Sequence, residues 1–145
     1  MAIKALTLSS VKTIESALDP ARGTADATRF TIGALDAFVS AYVADRMLTF
    51  SDSDLGGIQT AQVKMNEADL EVVRFGLKGW ENFKDARDND IEFKTVERIL
   101  QGKKYTVVDT DRLALMAQDL IRELAREIRF INTVAEDDAK KSVAA

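Results

Sequence analysis

The sequence predicts an α+β fold: a small antiparallel sheet, made of a C-terminal hairpin and one N-terminal strand, packed with about three helices. Three observations carry this. Leu113, Ala117, Leu120, Leu124, Ile128 and Ile131 recur at steps of three and four, the spacing of one helix face. Ile91, Phe93 and Thr95 alternate with Glu92, Lys94 and Val96, the period of a half-buried strand. A second extended run, Lys104 to Val108, follows Gln101-Gly102-Lys103, so the two runs pair as a hairpin over Ile91–Val108.

From the N-terminus, residues 1–27 are weakly patterned and expected to be weakly ordered. Ile3, Ala5 and Leu6 could open a short strand. Val11, Ile14, Ala17 and Leu18 have helical spacing, with Ser9 or Ser10 as a cap. Pro20 biases Asp19 to extended geometry. Thr28 to Ile32 alternates, with Phe30 and Ile32 on one face, and reads as a strand ended by Gly33. Asp36 suits an N-cap. Leu35, Phe38, Val39, Tyr42 and Val43 then form an apolar stripe on a helix reaching about Leu48.

Residues 49–65 read either as a loop or as a broken helix; a mobile loop with partial helix is favoured. Asn66 followed by Asp69 nearly matches a capping box and starts a helix over 67–79. Leu70, Val73, Leu77 and Trp80 give its apolar face. Residues 85–90 are a polar turn into the hairpin. After the hairpin, Asp109-Thr110-Asp111 places acids at a helix start. That helix runs from about Asp111 to Asn132, with room for a break near Ala117 or Gln118. Ala135 to Ala145 is expected to be a solvated tail. At 145 residues the chain is one domain, 1–145, with no internal repeat.

Composition removes whole classes of chemistry. The chain contains no Cys and no His, so disulfides, thiolate nucleophiles, imidazole bases and a Ser-His-Asp triad are excluded, and a zinc site, which almost always uses Cys or His, is not expected. No cofactor or metal is expected. With 46% hydrophobic and 30% charged residues the chain can bury a core. Its net charge is −4 with no basic cluster in sequence, which argues against nucleic acid. No apolar run reaches the ~20 residues of a membrane helix, and the N-terminus lacks a signal-peptide core. A cytoplasmic location is the default expectation.

Each candidate site has a structural alternative. Trp80 and Phe83 could anchor a partner, since aromatic residues dominate interface hot spots, but burial at the helix-to-hairpin junction is the simpler reading. Asp85, Asp88, Asp90 and Glu92 lack the order of a calcium loop and read as a turn. Gly56-Gly57 and Gly76-x-x-Gly79 are too sparse for a phosphate cradle. The C-terminal stripe could dock on another subunit or pack on this chain's own sheet. The expectation is a non-enzymatic interaction protein.

Three stretches carry a family resemblance. Asp19-Pro20-Ala21-Arg22-Gly23-Thr24 with Ala27-Thr28-Arg29-Phe30 resembles the opening of small proteins encoded in tailed-phage morphogenesis regions. Gly76-Leu77-Lys78-Gly79-Trp80-Glu81-Asn82-Phe83-Lys84-Asp85, then Ile91-Glu92-Phe93, resembles their middle motif. Leu120-Ile121-x-Glu123-Leu124-Ala125-x-Glu127-Ile128, with Ile131-Asn132 and Lys140-Lys141-Ser142, resembles their close. The resemblance implies a tail assembly chaperone that shields a tail-tube or tape-measure protein in the cytoplasm of an infected bacterium. Two alternatives stay open: a structural virion component such as a head–tail connector or tail-completion protein, located in the virion, and a regulator of a host protein. Partners would be tail or other virion proteins, with homo-oligomerisation open and neither nucleic acid nor membrane involved. The partner-binding residues implied are Trp80, Phe83, Leu120, Leu124, Ile128 and Ile131.

Overall fold

The computed structural model of the chain describes residue 3, residues 5–48 and residues 57–144. Strand β1 (Val11–Glu15) pairs antiparallel with β2 (Arg29–Gly33). Helix α1 (Ala37–Leu48) and helix α2 (Gly57–Gly76) follow, and α2 passes directly into β3 (Leu77–Glu81). Strand β3 pairs with β2, giving a three-stranded sheet in the order β1-β2-β3. Strands β4 (Thr95–Leu100) and β5 (Lys103–Val108) form a separate two-stranded hairpin. A single helical turn, α3 (Thr110–Leu113), precedes the long helix α4 (Gln118–Ala144).

The α+β class therefore holds, but the N-terminal strand and the C-terminal hairpin lie in two sheets rather than one. The core sits between them. Phe30 and Ile32 of β2 point inward, as do Leu35, Val39 and Val43 around α1. Val72, Val73 and Phe75 of α2 meet Ile121, Leu124, Ala125 and Ile128 of α4, and Val107 and Val108 close the layer. At Gly76 the side chain of Ile128 on α4 packs directly onto the α2 backbone. A Cβ there would lie 2.7 Å from both Cδ1 and Cγ2 of Ile128, so the absent side chain is what permits the contact.

Local chemistry explains the boundaries. Asp36 caps α1 as its sequence position requires: its Oδ1 accepts the Val39 amide at 2.9 Å. The hairpin turns at Gln101-Gly102, both at positive φ (54° and 77°), the conformation of a two-residue I′ turn that matches the strand twist. The break before α4 falls at residues 114–117, where Leu113 and Met116 dip into the core.

Several expectations are corrected. Val11–Glu15 is a strand, not a helical turn, and Val11 is exposed. Residues 3, 5 and 6 are not in a strand. Helix α2 begins at Gly57, well before Asn66, and ends at Gly76 rather than Gly79. The register of β2 on β3 shows why. Thr31 faces Gly79 and Ile32 faces Leu77, so Lys78 is the extra residue of a β-bulge. The bulge puts Leu77 and Trp80, three apart, on the same inward face, which mimics helical spacing. The first hairpin strand begins at Thr95, four residues after Ile91, and α4 continues to Ala144, past the end expected near Asn132. The expected mobile loop falls partly on residues 49–56, outside the described residues.

Candidate functional site

An open groove of 380 Å³ lies where β2, the residue after Asn82 and the start of α4 converge. Its apolar lining is Leu18, Phe30, Phe83, Ala117 and Leu120. Three local structures hold these side chains in place.

The first fixes Phe83. Asn82 sits at φ 58°, ending β3. Its side-chain amide donates to the carbonyl oxygens of Ala27 at 3.2 Å and Ala25 at 3.4 Å, and its own carbonyl accepts the Thr28 hydroxyl at 2.8 Å. This cross-chain staple sets Phe83 edge-on to Phe30, with centroids 5.5 Å apart. The Ile91 amide then donates to the Phe83 carbonyl at 2.8 Å. In between, the Asp85 Oδ1 accepts the amides of Arg87 (2.9 Å) and Asn89 (3.0 Å), so the acidic segment is a side-chain-closed turn, as its polarity indicated.

The second fixes Leu18. Glu123 of α4 accepts the Ser16 hydroxyl and, through Oε2, the Ala17 amide at 2.8 Å; the Ser16 Oγ accepts the Leu18 amide at 3.0 Å. The chain leaving β1 is thereby tied to α4, and Leu18 stays 57% exposed beside the groove. The third fixes the loop to β2. Asp19 Oδ1 accepts the Ala21 amide at 2.9 Å and Oδ2 the Thr28 amide at 2.8 Å. Both oxygens of the groove's buried-side carboxylate are thus committed to backbone.

The six residues singled out from sequence separate into four groups. Phe83 and Leu120 line the groove. Trp80 lies behind Phe83, edge-on at 4.9 Å, and edge-on to Phe93 at 4.8 Å, with its indole N–H donating to the Ile91 carbonyl at 2.7 Å. It supports the groove wall without lining it, which is the junction role. Leu124 and Ile128 are 0% exposed and belong to the core against α2, so they cannot touch a partner in the folded chain. Ile131 is half-buried and, at 1.5 Å rise per residue, roughly 16 Å along α4 from Leu120. Leu18, Phe30 and Ala117 were not singled out as partner-binding residues. Nothing in the sequence joins them, because the Glu123 tether that assembles them spans about a hundred positions, from 16 to 123.

Two charged clusters lie elsewhere. Glu71, buried on α2, receives Arg98 Nη1 from β4 at 3.0 Å and Arg74 Nε at 3.4 Å. Arg98 Nη2 also donates to the Tyr42 hydroxyl at 2.7 Å, and its guanidinium lies over the Tyr42 and Phe75 rings at 5.3 and 5.5 Å. This cluster locks the hairpin onto α1 and α2. At the start of α1, Asp36 Oδ2 receives Lys103 Nζ at 2.8 Å and the Tyr105 hydroxyl at 2.7 Å. Burial opposes the charge on Asp36, but the hydrogen bonds from Lys103, Tyr105 and the Val39 amide outweigh it and lower the pKa. Tyr105 is pushed up to about 12, by burial first and then by the adjacent carboxylate.

Among the described residues no group of acidic side chains is arranged to hold a metal ion, and no helix is long and apolar enough to cross a membrane. Comparison with protein-family models, with curated proteins and with solved structures finds no match.

Proposed function

We propose that this chain is a non-enzymatic binding module that receives an apolar side chain of a partner protein in the groove between Phe83 and Leu120. The observation that carries the proposal is the groove itself: an apolar floor, open to solvent, whose walls are held by hydrogen bonds that Asn82 donates to the Ala27 carbonyl and that Ser16 and the Ala17 amide donate to Glu123. Pre-set walls lower the ordering cost of binding, which favours recognition of a side chain that fits. Of the polar groups around it, Asp19, Thr28 and Asn82 are committed to backbone, Ser16 to Glu123 and Lys84 to Asp90, which supports a binding role over proton transfer.

The partner class comes from the phage resemblance. We take it to be a tail-tube or tape-measure protein, with the chain acting as a tail assembly chaperone that covers an apolar surface before polymerisation. The test is co-expression with those proteins from a tailed phage whose genome carries this chain, followed by co-purification and mass spectrometry of the finished particles. A complex with a tail protein, together with absence from particles, is the expected result. Stoichiometric presence in particles would replace chaperoning with a structural role in the virion. Failure to associate with any tail protein would remove both.

A further inference from the structure

The groove at Phe83 and Leu120 has a charged rim as well as an apolar floor. Asp19 and Asp26 both line it, and Lys84 is the one cation lining it among the described residues. The hydrogen bonds that shape the wall bring these groups together. Asp19 Oδ2 accepts the Thr28 amide, and the Thr28 hydroxyl donates to the Asn82 carbonyl. The Asn82 side chain in turn donates to the carbonyls of Ala25 and Ala27, the residues on either side of Asp26. Lys84 follows two residues after Asn82.

Lys84 does not neutralise this rim. Its ammonium lies 3.2 Å from Asp90 Oδ1. The hydrogen bond and charge of Asp90, then the charges of Asp88 and Asp26, hold its pKa above the usual lysine value. Three carboxylates therefore act on one ammonium. Asp19 adds a further negative charge, since the two backbone amides it accepts from are neutral. The Asp26 carboxylate has no hydrogen-bond or ion-pair partner among the described residues. Arg22 and Arg29, from the same stretch of chain, line a different pocket beside β1, where Arg29 is paired with Glu15 at 3.6 Å. The rim is left with an excess of negative charge over an apolar floor.

We propose that the partner segment received by this groove is basic: an apolar side chain on the floor, and beside it a Lys or Arg whose cationic end meets Asp26 in the field of Asp19. This inference rests on the groove being the binding site. A long cationic side chain suits the place, because its methylene stem covers apolar surface while its head stays in water at the rim. An acidic segment would set like charges against each other. Burial of the apolar side chain supplies most of the affinity, and the exposed rim supplies selectivity that salt screens.

The test is a backbone-amide NMR titration of the full chain with three peptides: acetyl-Lys-Leu-Lys-amide, acetyl-Ser-Leu-Ser-amide and acetyl-Glu-Leu-Glu-amide. Saturable shifts are expected at Leu18, Thr28, Phe83 and Leu120. At low salt the lysine peptide should bind about three- to fivefold more tightly than the serine peptide, the scale of one or two exposed ion pairs, with the glutamate peptide weakest. The difference should close towards ~1 M salt. Asp26→Asn should cut the lysine advantage below about twofold and leave the affinity of the serine peptide unchanged. Glu97→Gln, which removes an exposed charge on the hairpin, should change neither. Equal affinity of the three peptides at the groove would overturn the basic partner and leave the groove standing as an apolar site. An undiminished lysine advantage in folded Asp26→Asn, or an equal loss in Glu97→Gln, would do the same. Absence of saturable shifts at the groove with every peptide would remove the groove as the binding site and this inference with it.

Discussion

Gly76→Ala should destabilise the protein although alanine is the better helix residue. The new Cβ would stand 2.7 Å from Cδ1 and Cγ2 of Ile128, about 1 Å inside the carbon–carbon optimum. Ile128 is fully buried, and the clash involves its branched Cγ2 as well as its terminal Cδ1. Overpacking of this kind costs about 1–3 kcal/mol. Relief of glycine's backbone entropy returns about 0.5–1 kcal/mol. The net expectation is a loss of about 1–2 kcal/mol, or roughly 3–6 °C in the thermal midpoint of a chain this size. A double-mutant cycle isolates the cause. Ile128→Ala alone should cost about 2–5 kcal/mol through its cavity. In the double variant the added methyl meets no clash, so the two costs should fall short of additivity by about 1–2 kcal/mol. The assay is urea denaturation followed by Trp80 fluorescence. A stabilised Gly76→Ala variant, or additivity within about 0.5 kcal/mol, would refute the close packing of α2 on α4.

Arg98→Ala should cost about 2–4 kcal/mol in the same assay, because it leaves Glu71 buried with only the longer contact to Arg74, at 3.4 Å, among the described residues and uncovers the Tyr42 and Phe75 rings. Gln101→Asn should stabilise by about 0.5–1 kcal/mol, since asparagine tolerates the positive φ of that turn position better; a neutral or negative effect would count against the I′ geometry. The Asp36 cluster sets limits at both ends of the pH scale. With Asp36 lowered below 3.8 in the folded chain, its contribution is complete above that value and lost as pH falls below it; Asp36→Asn should lose less stability over this interval than the wild type. With Tyr105 raised to about 12, the folded chain keeps a proton that the unfolded chain releases from about 10, so stability should fall between these values, and Tyr105→Phe should flatten that fall.

What was legible in the sequence was whatever a single side chain decides locally. Asp36 before an apolar stripe named the α1 cap. Gln101-Gly102 between extended runs marked the hairpin turn. The acidic run at 85–90 read as a turn and is closed by Asp85. What misled was periodicity without a partner strand. The bulge at Lys78 shifts strand alternation by one residue, so Leu77 and Trp80 looked helical, and no single-chain pattern distinguishes the two until β2 is laid beside them. The same limit governs the site. A stripe along α4 includes both the buried Leu124 and Ile128 and the groove residue Leu120, because period identifies a face but not what covers it. Leu18 enters only through the Ser16–Glu123 tether, a contact that tertiary folding alone creates.

The measurement that tests the central claim most directly is the affinity of a co-purified tail protein for groove variants. Leu18→Asp is exposed enough to fold, and Leu120→Ala shortens the opposite wall. Loss of a buried leucine contact is worth about 1.5–3 kcal/mol, so each should weaken binding by roughly 10- to 100-fold. Ile99→Asp places the same charge on an exposed apolar residue of the hairpin, 66% accessible and outside the groove, and should bind as the wild type does. Undiminished binding by folded Leu18→Asp and Leu120→Ala, or an equal loss with Ile99→Asp, would contradict the assignment of the groove as the binding site.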